Sequence, residues 1–146
     1  MNKNADAVVK TVEQLFASAP ALPVNAREAI VKITPIIAIV FGILGVLGAL
    51  AGFGLLTAFA PFAILGGGVP SYGNGFISAL FWLVSSVLLL AAYPGTKARK
   101  MNGWNLLFWS EVVSLIGSLV SLSILSGIVG ALISFYLLFQ IKSYYK

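Results

Sequence analysis

Residues 104–122 read Trp104-Asn105-Leu106-Leu107-Phe108-Trp109-Ser110-Glu111-Val112-Val113-Ser114-Leu115-Ile116-Gly117-Ser118-Leu119-Val120-Ser121-Leu122, a segment suited to hydrocarbon apart from one carboxylate. Glu111 is the only acidic or basic side chain in the apolar segments of the chain. A charge at a helix centre costs about 2.5–3.5 kcal/mol on insertion scales, whereas each Leu, Ile, Phe or Val returns roughly 0.3–0.6. Some ten such residues supply roughly 4 kcal/mol, and the serines erode it, so the span is marginal alone. It gains if Glu111 is protonated, sits off-centre or bonds to a neighbouring helix. Each route turns the side chain toward protein or water rather than lipid.

The composition points the same way. The 146 residues are 60% hydrophobic and 9% charged, whereas soluble domains carry about a quarter charged residues. The apolar runs are long enough for a bilayer. An all-α integral membrane protein is expected, with residues 35–146 forming one membrane domain and residues 1–34 a cytoplasmic amphipathic and juxtamembrane segment. The chain has no Cys and no His, which removes thiolate chemistry, the usual zinc sites and ordinary haem ligation. No metal, cofactor or enzymatic activity is therefore expected. The net charge of +5 at pH 7 is compatible with nucleic acid. Its bases flank the apolar runs, however, where they serve as topology signals and contacts for anionic lipid. The lipid bilayer, and not nucleic acid, is the expected partner.

In chain order, Val8, Val12 and Leu15 recur at helical spacing beside Phe16, predicting a short amphipathic helix within residues 1–19 that lies on the membrane or docks to a partner. Pro20 and Pro23 end it. Asn25 followed by Glu28 has the spacing of a capping box, so a helix is expected from Ala26. Four spans follow, at about residues 35–59, 76–92, 104–122 and 126–141, predicting an antiparallel four-helix bundle. Pro61, Gly66, Gly67, Gly68, Pro70, Gly73, Asn74 and Gly75 read as an uncharged turn-rich loop, with Tyr72 suited to a membrane interface. The nine bases all precede span one, separate spans two and three, or follow span four. By the positive-inside rule the protein is multi-pass in an inner or plasma membrane, with both termini cytoplasmic.

Three groups of residues are candidate sites. Reflection of depth across the loops sets Glu111 level with Leu137, near Tyr136 and Gln140 on span four and Ser85 and Ser86 on span two, as a proton, cation or structural polar layer. Small residues suited to close helix approach are Gly42, Gly45, Gly48 and Gly52 in span one, Ser114 and Ser118 in span three, and Gly130 and Ser134 in span four. Lys97, Arg99, Lys100 and Lys142 are expected at lipid headgroups, with Tyr144 and Tyr145 as interfacial anchors.

The gross plan of four spans with one intramembrane glutamate is similar to that of small multidrug transporters. The chain departs from them in carrying the acid in its third span rather than its first, in its length and in its strongly biased basic loops, so membership is not implied. Two functions are expected. The first is a small membrane scaffold or accessory subunit acting through helix–helix association, with itself or another membrane protein, through the glycine face of span one and the N-terminal helix. The alternative is a proton-coupled small-solute transporter or channel built on Glu111.

Overall fold

The computed structural model describes residues 3–66 and 69–146, with side chains at 5–66 and 73–146. These residues form five α-helices: α1 (Lys3–Phe16), α2 (Val24–Leu65), α3 (Val69–Lys97), α4 (Met101–Val120) and α5 (Ile124–Ile141), followed by a 3-10 turn at Lys142–Tyr144. The last four are long and apolar enough to cross a membrane. In sequence order α2 packs on α3 and α3 on α4, more extensively than α4 on α5, and α2 meets α5 only sparsely.

The longest helix, α2, runs 42 residues through both Pro35 and Pro61. Each proline deletes one backbone hydrogen bond, which apolar surroundings tolerate where neighbouring helices and hydroxyls re-satisfy the backbone. The expected loop of residues 61–75 is therefore much shorter. Pro61 lies inside α2, and Pro70 and Gly73 to Gly75 lie inside α3. Gly67, Gly68 and the side chain of Tyr72 lie outside the described residues. The capping box also does not form, because α2 starts directly behind Pro23, whose φ of −53° is already that of a helix, and its N-cap makes no side-chain bond. Asn25 is thereby carried into the first turn.

Two helix ends share one stop. Beyond α3, the Lys100 N–H donates to Gly95 O at 2.8 Å and the Arg99 N–H to Thr96 O at 3.1 Å. Beyond α4, the Ser123 N–H donates to Ser118 O at 3.0 Å and the Leu122 N–H to Leu119 O at 3.2 Å. Both are Schellman motifs, which require a left-handed residue. That residue is Arg99 at φ 52° in one and Leu122 at φ 59° in the other, where glycine is usual.

The main buried cluster gathers at the end of the molecule that carries the α3–α4 loop. Trp104 and Phe108 are fully buried there with Phe135, Ile141 and Tyr145. The Trp104 and Phe108 rings stack at 5.7 Å, Phe108 meets Phe135 at 5.3 Å, and the Trp104 indole N–H donates to Leu138 O at 2.8 Å. Tyr145, expected as an interfacial anchor, is instead 3% exposed. Lys146 closes the tail by pairing its backbone with the α3–α4 loop, accepting from the Met101 N–H at 2.8 Å and donating to Arg99 O at 3.0 Å.

The N-terminal helix α1 packs against its own chain. Val9 is buried in the main cluster, with Val12 and Phe16 against it. Phe16 stacks on Phe139 at 6.0 Å, and Glu13 Oε2 pairs with Lys142 Nζ at 2.6 Å. Val9, Val12 and Phe16 thus turn toward the chain's own core, whereas Val8 and Leu15 of the expected apolar face stay exposed, at 41% and 72%.

Candidate functional site

Glu111 sits at a meeting of all four long helices. A cavity of about 180 Å³ is lined by Ile30, Thr34, Ile37 and Ala38 of α2, Leu89 of α3, Leu107, Ser110 and Glu111 of α4, and Ser134, Leu137, Leu138 and Ile141 of α5. Most of this lining is aliphatic. Its three hydroxyls differ in what they offer the acid. The Thr34 hydroxyl donates to Ile30 O at 2.7 Å and the Ser110 hydroxyl to Leu107 O at 2.8 Å, so both spend their hydrogen on their own helix. Ser134 is the hydroxyl that faces the Glu111 carboxyl.

No cation lines this cavity. A carboxylate can accept about four hydrogen bonds, whereas one hydroxyl is placed to give one. An unpaired buried carboxylate costs several kcal/mol, so the lining suits a carboxylic acid that donates as well as accepts.

The depth read from the sequence and the direction of the side chains separate here. Leu137 does lie beside Glu111. Tyr136 and Gln140 are turned away from it: the Tyr136 hydroxyl donates to Pro20 O at 2.7 Å, Gln140 Nε2 donates to the same oxygen at 3.1 Å, and Gln140 Oε1 accepts from the Leu22 N–H at 3.0 Å. Successive helical residues point about 100° apart, so Ser134, Leu137, Leu138 and Ile141 share one face and Tyr136 and Gln140 another. Ser85 and Ser86 also lie elsewhere, both donating to Trp82 O, at 3.0 and 2.7 Å. The five polar residues expected in one layer therefore do not come together, and Glu111 keeps Ser134 instead.

The small residues divide between filled and open positions. A Cβ at Gly42 would lie 2.6 Å from Leu90 Cγ, one at Gly45 would run into the Ser86 side chain, and one at Gly48 would lie 2.7 Å from the Trp82 ring. All three positions are occupied by α3. A Cβ at Gly52 or Gly54 would meet nothing within 4 Å. Gly52 instead opens on a groove of about 560 Å³ walled by Gly75, Ser78, Ser114, Gly117 and Ser118, with Leu55, Leu56 and Trp82 around it. Ser114 and Ser118 thus face this groove. On α5 the close approach to α4 is at Gly127, over Ser118, whereas Gly130 faces open space.

The basic residues also differ in their engagements. Lys142 pairs with Glu13 and lies over the Trp104 ring at 5.3 Å. Lys97 lies over the Tyr93 ring at 5.8 Å, and Lys97, Arg99 and Lys100 are exposed. Sequence reasoning missed the contact between Gly95 and Gly103. A Cβ on Gly95 would lie 2.6 Å from Gly103 Cα, and the available signal was a pair of glycines bracketing one short loop. Among the described residues no three His, Cys, Asp or Glu side chains converge as metal ligands.

Compared with protein-family models, curated proteins and solved structures, the chain matches none of them.

Proposed function

We propose that the chain is an integral membrane protein of four antiparallel spans, with both termini cytoplasmic, that works by association as a scaffold or accessory subunit. The length and composition of α2 to α5 support membrane residence. The placing of all nine bases in or before the first turns of α2, around the α3–α4 loop or after α5 supports the orientation.

The observation that carries the association reading is the continuation of the α2 glycine seam beyond the point where the chain covers it. Gly42, Gly45 and Gly48 are filled by α3, whereas Gly52 borders the 560 Å³ groove. Past it α2 leaves Leu55, Phe59, Phe62 and Leu65 exposed, at 59–86%. From Ile33 to Leu65 the helix carries no charge, a length of roughly 50 Å at the helical rise, against about 30 Å of hydrocarbon. A mismatch of this size favours tilt or helix association, and a groove of small residues admits another helix closely.

The chain has no cysteine, so single cysteines report cleanly. Gly52→Cys and Leu55→Cys are expected to cross-link to a second copy or to a membrane partner in native membranes, while Leu132→Cys on the exposed face of α5 stays monomeric. Monomers from all three variants, with no membrane protein copurifying, would refute the reading.

The cavity beside Glu111 favours a second reading, a proton-coupled small-solute transporter or channel. It requires proton flux in liposomes that Glu111→Gln abolishes at unchanged stability. Absence of flux in the native protein removes it.

A further inference from the structure

Three basic side chains converge on one hollow whose lining holds no carboxylate. Lys32 of α2 meets Lys97, the last residue of α3, and Arg99, two residues beyond it, around a cavity of about 280 Å³. Its lining contains no acid; it is completed by Tyr93 and Thr96 of α3 and by an apolar wall that includes Pro35 and Ile36. Glu28 lines an adjoining cavity with Lys32 and Arg99, yet among the described residues the ion pair is that of Glu13 with Lys142. The three cations are exposed and repel one another, so an anion seated between them is attracted by all three.

The site is also held in place. Arg99 sits in the left-handed backbone region at φ 52°, a position where glycine would be unstrained. Its loop is fixed on both sides, by Lys100 N–H on Gly95 O and by Lys146 N–H on Arg99 O. The residue held there carries a permanent positive charge, which suits phosphate. On the other side the cavity runs into Ile36, 61% exposed, so its wall continues onto the apolar outer face of α2.

We propose that this hollow seats the phosphate of an anionic phospholipid, with Lys32, Lys97 and Arg99 as its charged walls and one acyl chain lying along Pro35 and Ile36. A free phosphate would satisfy the cations but leave the apolar wall unused. The inference rests on membrane residence and not on association with a partner.

The test is native mass spectrometry of the full chain released from nanodiscs of phosphatidylglycerol or phosphatidylcholine. The native protein is expected to retain phosphatidylglycerol at least about tenfold more than phosphatidylcholine, from the attraction of several basic residues. The double variant K32Q/R99Q loses that preference, while K3Q/K10Q, which removes the same charge from α1, keeps it. The charge-retaining pair K32R/R99K also keeps it, which guards against a folding defect in the glutamine variant. Insertion into both nanodiscs without lipid preference would overturn the proposal, and so would equal loss in the control pair. Inorganic phosphate added alone is expected to leave the lipid bound; displacement by millimolar phosphate would assign the site to the free anion and overturn the lipid. Failure to enter either nanodisc would instead strike the membrane reading itself.

Discussion

Replacing Gly103 by alanine tests a close backbone approach between α3 and α4. A Cβ at Gly103 would be driven into the backbone of Gly95 and Thr96, and one at Gly95 would lie 2.6 Å from Gly103 Cα and 2.7 Å from its nitrogen. Non-bonded carbons rest at about 3.5–4.0 Å, so α3 and α4 must part by roughly 1 Å. Neither neighbour is a flexible side chain that could swing aside. Overpacking of this kind costs about 1–3 kcal/mol, while the helical preference of alanine over glycine returns about 1 at most. The separation would also disturb Trp104, fully buried one residue away. The expected net loss for Gly103→Ala is therefore up to about 2 kcal/mol. Gly52→Ala is the internal standard, since its Cβ meets nothing within 4 Å, and it should gain up to about 1 kcal/mol. Unfolding in mixed micelles, followed by tryptophan fluorescence, measures both. Equal stability of the two variants would refute the close approach, because the same chemical change would then be blind to its surroundings.

Leu122→Gly should stabilise by up to about 1 kcal/mol by relieving a left-handed residue; Leu122 is 75% exposed, so little packing is lost, and Leu125→Gly inside α5 should destabilise by about the same amount. Glu111→Gln should fold almost as the native chain does, and Glu111→Ala should lose about 0.6–2 kcal/mol, the range for interhelical hydrogen bonds in membranes; equal losses in the same unfolding assay would show that the polar group contributes nothing. Burial pushes the Tyr145 phenol above its ordinary value, with the Arg99 charge pulling partly back. The unfolded chain then loses this proton first, so the contribution is complete below about pH 10 and disappears as pH rises through the folded value. Tyr145→Phe should flatten the alkaline fall in stability relative to the native chain, and an unchanged slope between pH 9 and 11 would count against it.

Much of the helical plan was legible because apolar run length and the placing of charge are one-dimensional properties. Four long apolar helices and the position of Glu111 beside Leu137 follow from counting residues at a fixed rise. What counting could not supply was direction around each helix. Tyr136 and Gln140 lie at the right height but one helical step away in azimuth, bonded to Pro20 and Leu22, and no pattern in α5 alone says which face its neighbours cover. The prolines misled in the other direction. Pro61 read as a breaker because proline forfeits a backbone bond, yet it lies inside α2; Pro70 stands in the first turn of α3, where its missing N–H is not needed. Glycine was ambiguous for the same reason: Gly48 and Gly52 are indistinguishable in sequence, and only the position of Trp82 separates a filled seam from an open one.

The docking of α1 on α5 has a consequence for the order of biogenesis. Glu13 meets Lys142, and Pro20 meets Tyr136 and Gln140, across 116–129 residues of chain. A segment that leaves the ribosome ahead of every long helix thus finds its seat only when the last one has arrived. Until then Phe16 lacks the Phe139 ring and Glu13 lacks Lys142, so the docking of α1 is incomplete. Docking of α1 therefore reports the arrival of α5: a chain truncated or stalled before α5 leaves Phe16 and Glu13 without the partners they have here, the kind of incomplete packing that quality control can read.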